Sequence, residues 1–248
     1  MRLRLTKVLT LREDVEHVSW TDFQRLFNWN QGEHVTLIGA TGCGKTTLAE
    51  KLLPLPPWVC VMACKPKDKS MSRLTRTGYR KIRDWPPHHG IKRVVLWPDI
   101  SKREYMPNQR RVFVEALDAI YAAGGWAVYA DELTYMTNQL RIKSNFEMLW
   151  QQGRSIGISF VSSTQRPRWV PLSAYTQATH IFFWRQNDER DLKTIGGMGW
   201  LDSKLIRETV SRLTGPPTAG FSRSECCEFL YCNVRSGTMV VSRVEGVR

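Results

Sequence analysis

A chain of 248 residues with 42% hydrophobic content has room for one large α/β domain or two small ones, and is too apolar for a disordered polyelectrolyte. Its 36 basic residues against 23 acidic ones, net +13, favour a polyanionic partner: nucleic acid first, an anionic membrane surface second. No stretch resembles an uninterrupted membrane span, and Lys7, Arg12 and Glu13 break any signal-peptide core, so the expectation is a soluble, cytoplasmic protein without membrane insertion.

In chain order, residues 34–38 (His-Val-Thr-Leu-Ile) read as a buried strand, followed by Gly39-Ala40-Thr41-Gly42-Cys43-Gly44-Lys45-Thr46-Thr47. Glycines at these spacings let the backbone curl so that its N–H groups point inward at phosphates. Lys45 adds a charge and Thr46 a hydroxyl for Mg²⁺. This is a phosphate cradle, and residues 39–47 are the expected nucleotide-binding set. A helix over 46–53 stops against Pro54, Pro56 and Pro57. A strand at 58–64, a basic stretch from Lys65 to Arg83 and a strand at 92–97 follow.

Phe113, Leu117, Ile120 and Tyr121 share one helical face within 108–123, and Gly124-Gly125 stops that helix. The strand at 126–130 delivers Asp131 and Glu132. Ser144 and Glu147 have capping-box spacing for a helix to Gln152, ended by Gly153, before a strand at 156–163. Another strand at 179–185 leads into Asn187-Asp-Glu, an N-cap with acidic first-turn residues, and a helix ending at Gly196. A last amphipathic helix (205–213) and a hairpin (229–234 with 238–244) close the chain. Alternating strands and helices imply a mainly parallel sheet in a single domain: an extension (1–32), a motor core (33–195) and a C-terminal helix and hairpin (196–248).

In a parallel sheet the strand C-termini open onto the ligand crevice, so Asp131 can hold Mg²⁺ beside Thr46, and Glu132 can polarise an attacking water. The next strand ends in Ser162-Ser-Thr-Gln165-Arg-Pro167. There Gln165 either orients water and senses the terminal phosphate or belongs to a turn set by Pro167. The six cysteines, Cys43, Cys60, Cys64, Cys226, Cys227 and Cys232, lack paired zinc spacing and read as reduced thiols. Cys43, near a helix N-terminus, raises the further expectation of a reactive thiol.

Residues 39–46, 126–132 and above all Gly153-Arg-Ser-Ile-Gly-Ile-Ser-Phe-Val-Ser-Ser-Thr-Gln-Arg-Pro167 resemble the FtsK/HerA superfamily of P-loop motors. His180-Ile-Phe-Phe-Trp-Arg185 before an acidic helix is similar to that family's next segment, so the resemblance spans roughly residues 33–195. It implies a three-layer, additional-strand ATPase core hydrolysing ATP with Mg²⁺, its cradle strand flanked by the Asp-Glu strand and the Gln strand. It also implies a homo-oligomeric ring, pentameric or hexameric, in which an arginine completes the neighbour's site. Arg154 is the first choice for that residue and Arg185 the second. Cys43 departs from the family pattern, which more often has serine there.

Arg73, Arg76, Arg80, Lys81 and Arg83, with Lys102, Arg103, Arg110, Arg111, Arg141 and Lys143, are candidates to line a channel for a phosphate backbone. No base-reading motif is present, so the expected substrate is DNA bound without sequence preference, with duplex DNA the first candidate. About sixty residues follow Arg185, short for a nuclease domain, which points to a compact motor like viral and phage genome-packaging ATPases. Such a motor would meet a capsid or portal vertex and be virion-associated at that stage. The alternative is a ring-forming scaffold ATPase that binds nucleic acid or membrane without moving it.

Overall fold

The computed structural model describes residues 15–99, 105–197, 202–215 and 228–245. Lys102, Arg103, Cys226 and Cys227, like the cations of the first fourteen residues, lie outside them. The strands are β1 (Glu16–His17), β2 (Val35–Ile38), β3 (Val59–Met62), β4 (Arg80–Ile82), β5 (Arg93–Leu96), β6 (Ala127–Ala130), β7 (Ser159–Thr164), β8 (His180–Trp184), β9 (Glu228–Asn233) and β10 (Thr238–Arg243). They form one sheet in the order β1-β10-β9-β8-β2-β7-β6-β3-β5-β4. From β8 to β4 every pairing is parallel, and β8-β9 and β9-β10 are antiparallel.

Parallel strands need crossovers, and the crossovers put helices on both faces. The helices are α1 (Trp20–Leu26), α2 (Lys45–Leu52), α3 (Lys69–Leu74), α4 (Tyr105–Ala123), α5 (Leu133–Asn138), α6 (Lys143–Gln152), α7 (Ser173–Thr176), α8 (Glu189–Gly196) and α9 (Ser203–Arg212). Side chains alternate between the two faces. Val59, Val61, Tyr129, Val161 and Phe182 join α1, α2 and α3 in one core, while Cys60, Met62, Val128, Ala130 and Phe160 join α4, α5 and α6 in another. Ile38, Ile181 and Phe183 pack with α8 and α9. Double burial is why these strands read as short, continuous apolar runs.

The parallel sheet and the final hairpin follow the sequence reading, while the N-cap of α8 is Asp188, one residue after the expected Asn187, with Glu189 and Asp191 in the first turn. The differences have physical reasons. The cradle strand β2 lies between β7 and β8, and the Asp-Glu strand β6 lies beyond β7, which corrects the expectation that β6 flanks β2. The basic stretch after Lys65 holds α3 and the short edge strand β4, whose outward cations Arg80 and Lys81 hide the strand pattern. Helix α6 begins one residue before Ser144, with Ile142 at the cap and no side-chain cap bond. Glu147 pairs with Lys143 at 3.4 Å instead of closing a capping box.

His34 sits just ahead of β2 and is fully buried. The Phe160 N–H donates to its Nδ1 at 3.0 Å, which leaves Nε2 to donate to the Trp150 carbonyl at 3.2 Å. Burial, then the charge of Arg154, depresses its pKa from 6.5 to about 4. The unfolded chain therefore takes up this proton first, and the stabilisation His34 provides above pH 6.5 is lost as pH falls toward 4. Denaturant titrations across this window should show the gap between wild-type and His34→Gln shrinking by up to about 3 kcal/mol. A gap that stays constant with pH would contradict the assignment.

Candidate active site

The cradle begins where β2 ends. Ile38 is level with Thr164 on β7 and Phe183 on β8, and the Gly39 N–H donates to the Thr164 carbonyl at 3.1 Å. A Cβ on Gly39 would lie 2.6 Å from the Trp184 Cβ and 2.7 Å from the Cys43 Sγ, so only glycine fits. Gly44 caps α2 with φ 102, a left-handed conformation that glycine adopts without strain. This bend turns the first N–H groups of α2 toward the cradle, where the helix dipole adds partial positive charge. Ala40, Thr41 and Gly42 form the exposed outer lip, while Thr46 and Thr47 are half-buried in the first helical turn. Lys45 is 9% exposed, and its Nζ donates to the Gly39 carbonyl at 2.6 Å and the Ala40 carbonyl at 2.8 Å.

Tyr129 and Asp131, two residues apart on β6 and just past it, share the face that α2 covers. The Thr46 hydroxyl donates to Asp131 Oδ1 at 3.2 Å, and the Tyr129 hydroxyl donates to the same oxygen. Burial raises the pKa of the Asp131 carboxyl, and the neighbouring Glu132 charge pushes the same way against the Tyr129 bond. Glu132 occupies the N-cap position of α5, makes no cap bond there, and forms an ion pair with Lys65 just past β3. Burial by itself would lower the pKa of the Lys65 ammonium; the hydrogen bond to Glu132 and that residue's charge carry it above its usual value.

Gln165 is exposed and shares a cleft of about 540 Å³ with Glu132, Thr134, Arg166 and Trp169. No residue of the cradle lines that cleft. Thr164 lies 3.4 Å from Thr134 and accepts the Arg166 N–H, so the end of β7 is tied to α5. Arg166 itself pairs with Asp188 and the buried Asp191, both at 2.7 Å.

The two candidate arginines sit at opposite ends of the sheet. Arg185 follows β8 directly, beside the cradle, and its Nε donates to Asn187 at 3.1 Å. Arg154 precedes β7 at the strand-start edge and donates to Thr179 at 3.0 Å. The length of β7 puts it about 20 Å from its own cradle.

Several basic residues are already paired. Arg73 holds Glu50 at 2.6 Å, and Arg111 holds Asp84 and Glu115 at 2.9 Å each. Arg110, Arg111 and Arg141 share a broad cleft beside α5.

Cys43 corrects the expectation of a reactive thiol. It is 2% exposed beneath the cradle, and burial pushes its pKa up despite the nearby Lys45. Tyr129, Lys65 and Thr134 were missed by sequence reasoning. Tyr129 was legible as the residue two before Asp131 on the same strand face, whereas no local pattern joins Lys65 to Glu132.

No family model matches the chain. It is 26% identical over 188 residues to the DNA packaging ATPase P9 of Enterobacteria phage PRD1, covering 73% of this chain and 77% of P9. The genome packaging NTPase B204 of Sulfolobus turreted icosahedral virus 2, in complex with sulfate, superposes with a TM-score of 0.62 at 15% identity, over 87% of this chain and 98% of B204. The DNA-packaging ATPase B204 of Sulfolobus turreted icosahedral virus superposes at 0.61 with 19% identity, over 86% and 98%.

Gly39→Ala is expected to cost about 1–3 kcal/mol in denaturant unfolding, because the new methyl meets Trp184 and Cys43. Cys43 in the native protein should resist a thiol reagent until unfolding, as mapped by mass spectrometry; fast native labelling would contradict its burial. The chain is thus a homologue of a phage packaging ATPase with the P-loop fold of viral genome-packaging NTPases, in keeping with the FtsK/HerA motifs it resembles.

Proposed function

We propose that this chain is an ATP-hydrolysing DNA translocase that packages a viral or phage genome. The observation that carries the reading is the convergence of the Gly39–Thr47 cradle and the Asp131-Glu132 pair at one edge of the parallel sheet, joined by the 3.2 Å Thr46–Asp131 hydrogen bond. The similarity to P9 adds the packaging role, and the virus 2 B204 has been captured with AMPPCP and with ATP-gammaS.

In this reading the cradle N–H groups grip the ATP phosphates, and Lys45 swings from its two carbonyl partners to the β- and γ-phosphate oxygens. Glu132 accepts a proton from water as the water oxygen bonds to the γ-phosphorus. The bond from that phosphorus to the β-bridging oxygen breaks, leaving ADP and inorganic phosphate. Thr46 and Asp131 present a hydroxyl and a carboxylate, hard oxygen donors that suit Mg²⁺. When bound, Mg²⁺ would neutralise charge on the phosphates. Gln165, at the end of the strand between cradle and acids, is positioned to respond to the terminal phosphate.

Identical subunits form a ring in this reading, and one arginine of each completes the neighbour's site: Arg185 lies beside its own cradle and Arg154 at the opposite edge of the sheet. Arg154 serves a neighbour only if that neighbour turns its cradle toward the strand-start edge. The DNA is held through its backbone without sequence preference, in keeping with the +13 net charge. The motor acts at a capsid or portal vertex. A scaffold ATPase that never moves DNA is the weaker reading, because it leaves the likeness to packaging proteins unexplained.

Duplex DNA should stimulate ATP hydrolysis, more strongly at low salt than at high salt. Lys45→Ala and Glu132→Gln should each reduce the stimulated rate by about a hundredfold or more, read as phosphate release. Undiminished hydrolysis in both variants, or a wild-type rate indifferent to DNA, would overturn the proposal.

A further inference from the structure

The cleft shared by Arg110, Arg111 and Arg141 has no part in the hydrolytic chemistry, and no residue of the cradle lines it. It encloses about 860 Å³ between the exposed face of α4 and the turn that joins α5 to α6. The exposed amides of Asn138 and Gln139 belong to the same wall. Glu115, the one acid among the described lining residues, is held by Arg111 at 2.9 Å, and Arg111 also takes Asp84. Arg110 and Arg141 are exposed, and neither side chain has a hydrogen-bond or ion-pair partner among the described residues. Two unneutralised guanidinium groups around a cleft whose acid is already taken leave a positive field there for an anion.

The backbone at Arg141 sets this cleft apart from an ordinary solvated face. Among the described residues Arg141 is the one non-glycine with a positive φ, at 55. That left-handed conformation costs an arginine energy and a glycine almost none. Leu140 and Ile142, on either side, are buried, and their N–H groups close the end of α5 on the carbonyls of Tyr135 at 3.1 Å and Met136 at 3.2 Å. These two anchors fix the turn, so any residue at 141 has to take the left-handed conformation. Helices that turn off through such a residue usually place glycine or asparagine there. An arginine gives up stability at this point and supplies a planar fork of donors that matches a phosphate group. Strain held in a rigid surround points to a use for the side chain.

We propose that Arg141, together with Arg110 in the same cleft, is a clamp for phosphates of the DNA backbone, and that the strain at Arg141 is retained for that contact. The inference rests on the reading of the chain as a DNA translocase, and it adds the surface on which the polymer lies. A phosphodiester chain supplies the anions that both guanidinium groups lack without presenting a base edge, in keeping with binding without sequence preference.

The test measures binding of a fluorescent random-sequence duplex to wild-type, Arg141→Gly, Arg141→Lys and Arg110→Gln chains by anisotropy across a salt series. Thermal midpoints are recorded alongside. Arg141→Gly should weaken binding at low salt about five- to thirtyfold and make the slope of log affinity against log salt shallower by about one. The same variant should raise the thermal midpoint by about 1–4 °C, because glycine relieves the left-handed strain. Arg110→Gln, on a regular helix face, should show the same loss of affinity and the same shallower slope with its midpoint unmoved. Arg141→Lys, which keeps the charge, should keep the salt slope. An arginine that only shaped the helix end would move the midpoint and leave affinity and slope alone. Wild-type affinity and slope in both Arg141→Gly and Arg110→Gln would overturn the proposal and give the cleft to another partner, such as an acidic protein segment. If DNA stimulates wild-type hydrolysis while these variants bind the duplex as wild-type does, this inference alone fails. If wild-type neither binds the duplex nor responds to it, the translocase reading and this inference fail together.

Discussion

The site depends on one strand lying between two others. β7 separates the cradle strand β2 from the acid-bearing strand β6, which sets their ends two inter-strand spacings apart, about 9.5 Å. The Thr46 hydroxyl and Asp131 carboxylate close that gap from opposite sides over the top of β7. Were β2 and β6 direct neighbours, the carboxylates would crowd the helix N-terminus and leave no room for a triphosphate. The inserted strand also delivers Thr164 and Gln165 to the middle of the gap, level with the start of the cradle. Parallel pairing throughout this part of the sheet then makes every strand finish at the same edge, so the separate contributions meet.

Around this gap the charges are held by one another. Lys45 rests on two backbone carbonyls, Lys65 on Glu132, and Arg166 on Asp188 and Asp191. Each cation belongs to a side chain long enough to move several ångströms, while the groups they rest on belong to strand ends or helix starts. The site therefore combines fixed acceptors with mobile donors. Two hydroxyls and its own burial hold the Asp131 carboxyl in place, and its placement costs little further ordering.

The local part of this architecture was legible in the sequence. A strand, a glycine-rich bend and a lysine-threonine pair announce the cradle because each residue type has a distinct job within nine positions. Asp131 and Glu132 could be read for a similar reason, as adjacent acids closing an apolar run. Strand order was legible only in part: the family resemblance puts the Gln strand beside the cradle strand, as observed, but nothing in residues 127–130 says that they stand beyond β7 instead of beside residues 35–38. The edge strand β4 and helix α3 were hidden by their arginines and lysines, which erase hydrophobic periodicity while still allowing backbone pairing. The Lys65–Glu132 contact joins positions far apart in sequence, so only the fold reveals it. The capping box at Ser144 failed because a lysine one residue earlier competes for Glu147, and an exposed (i, i+4) ion pair satisfies it as well as a backbone N–H does.

The strand at the far end of the sheet, β4, has only three residues, and Arg80 and Lys81 both face outward. Long sheets with bare margins invite further strands to zip onto them, whether from a second copy or from a misfolded chain. Here an incoming strand would find too few hydrogen-bonding partners for a stable ladder. Lateral polymerisation through this margin is thereby discouraged, and the sheet is kept from becoming the seed of a fibre.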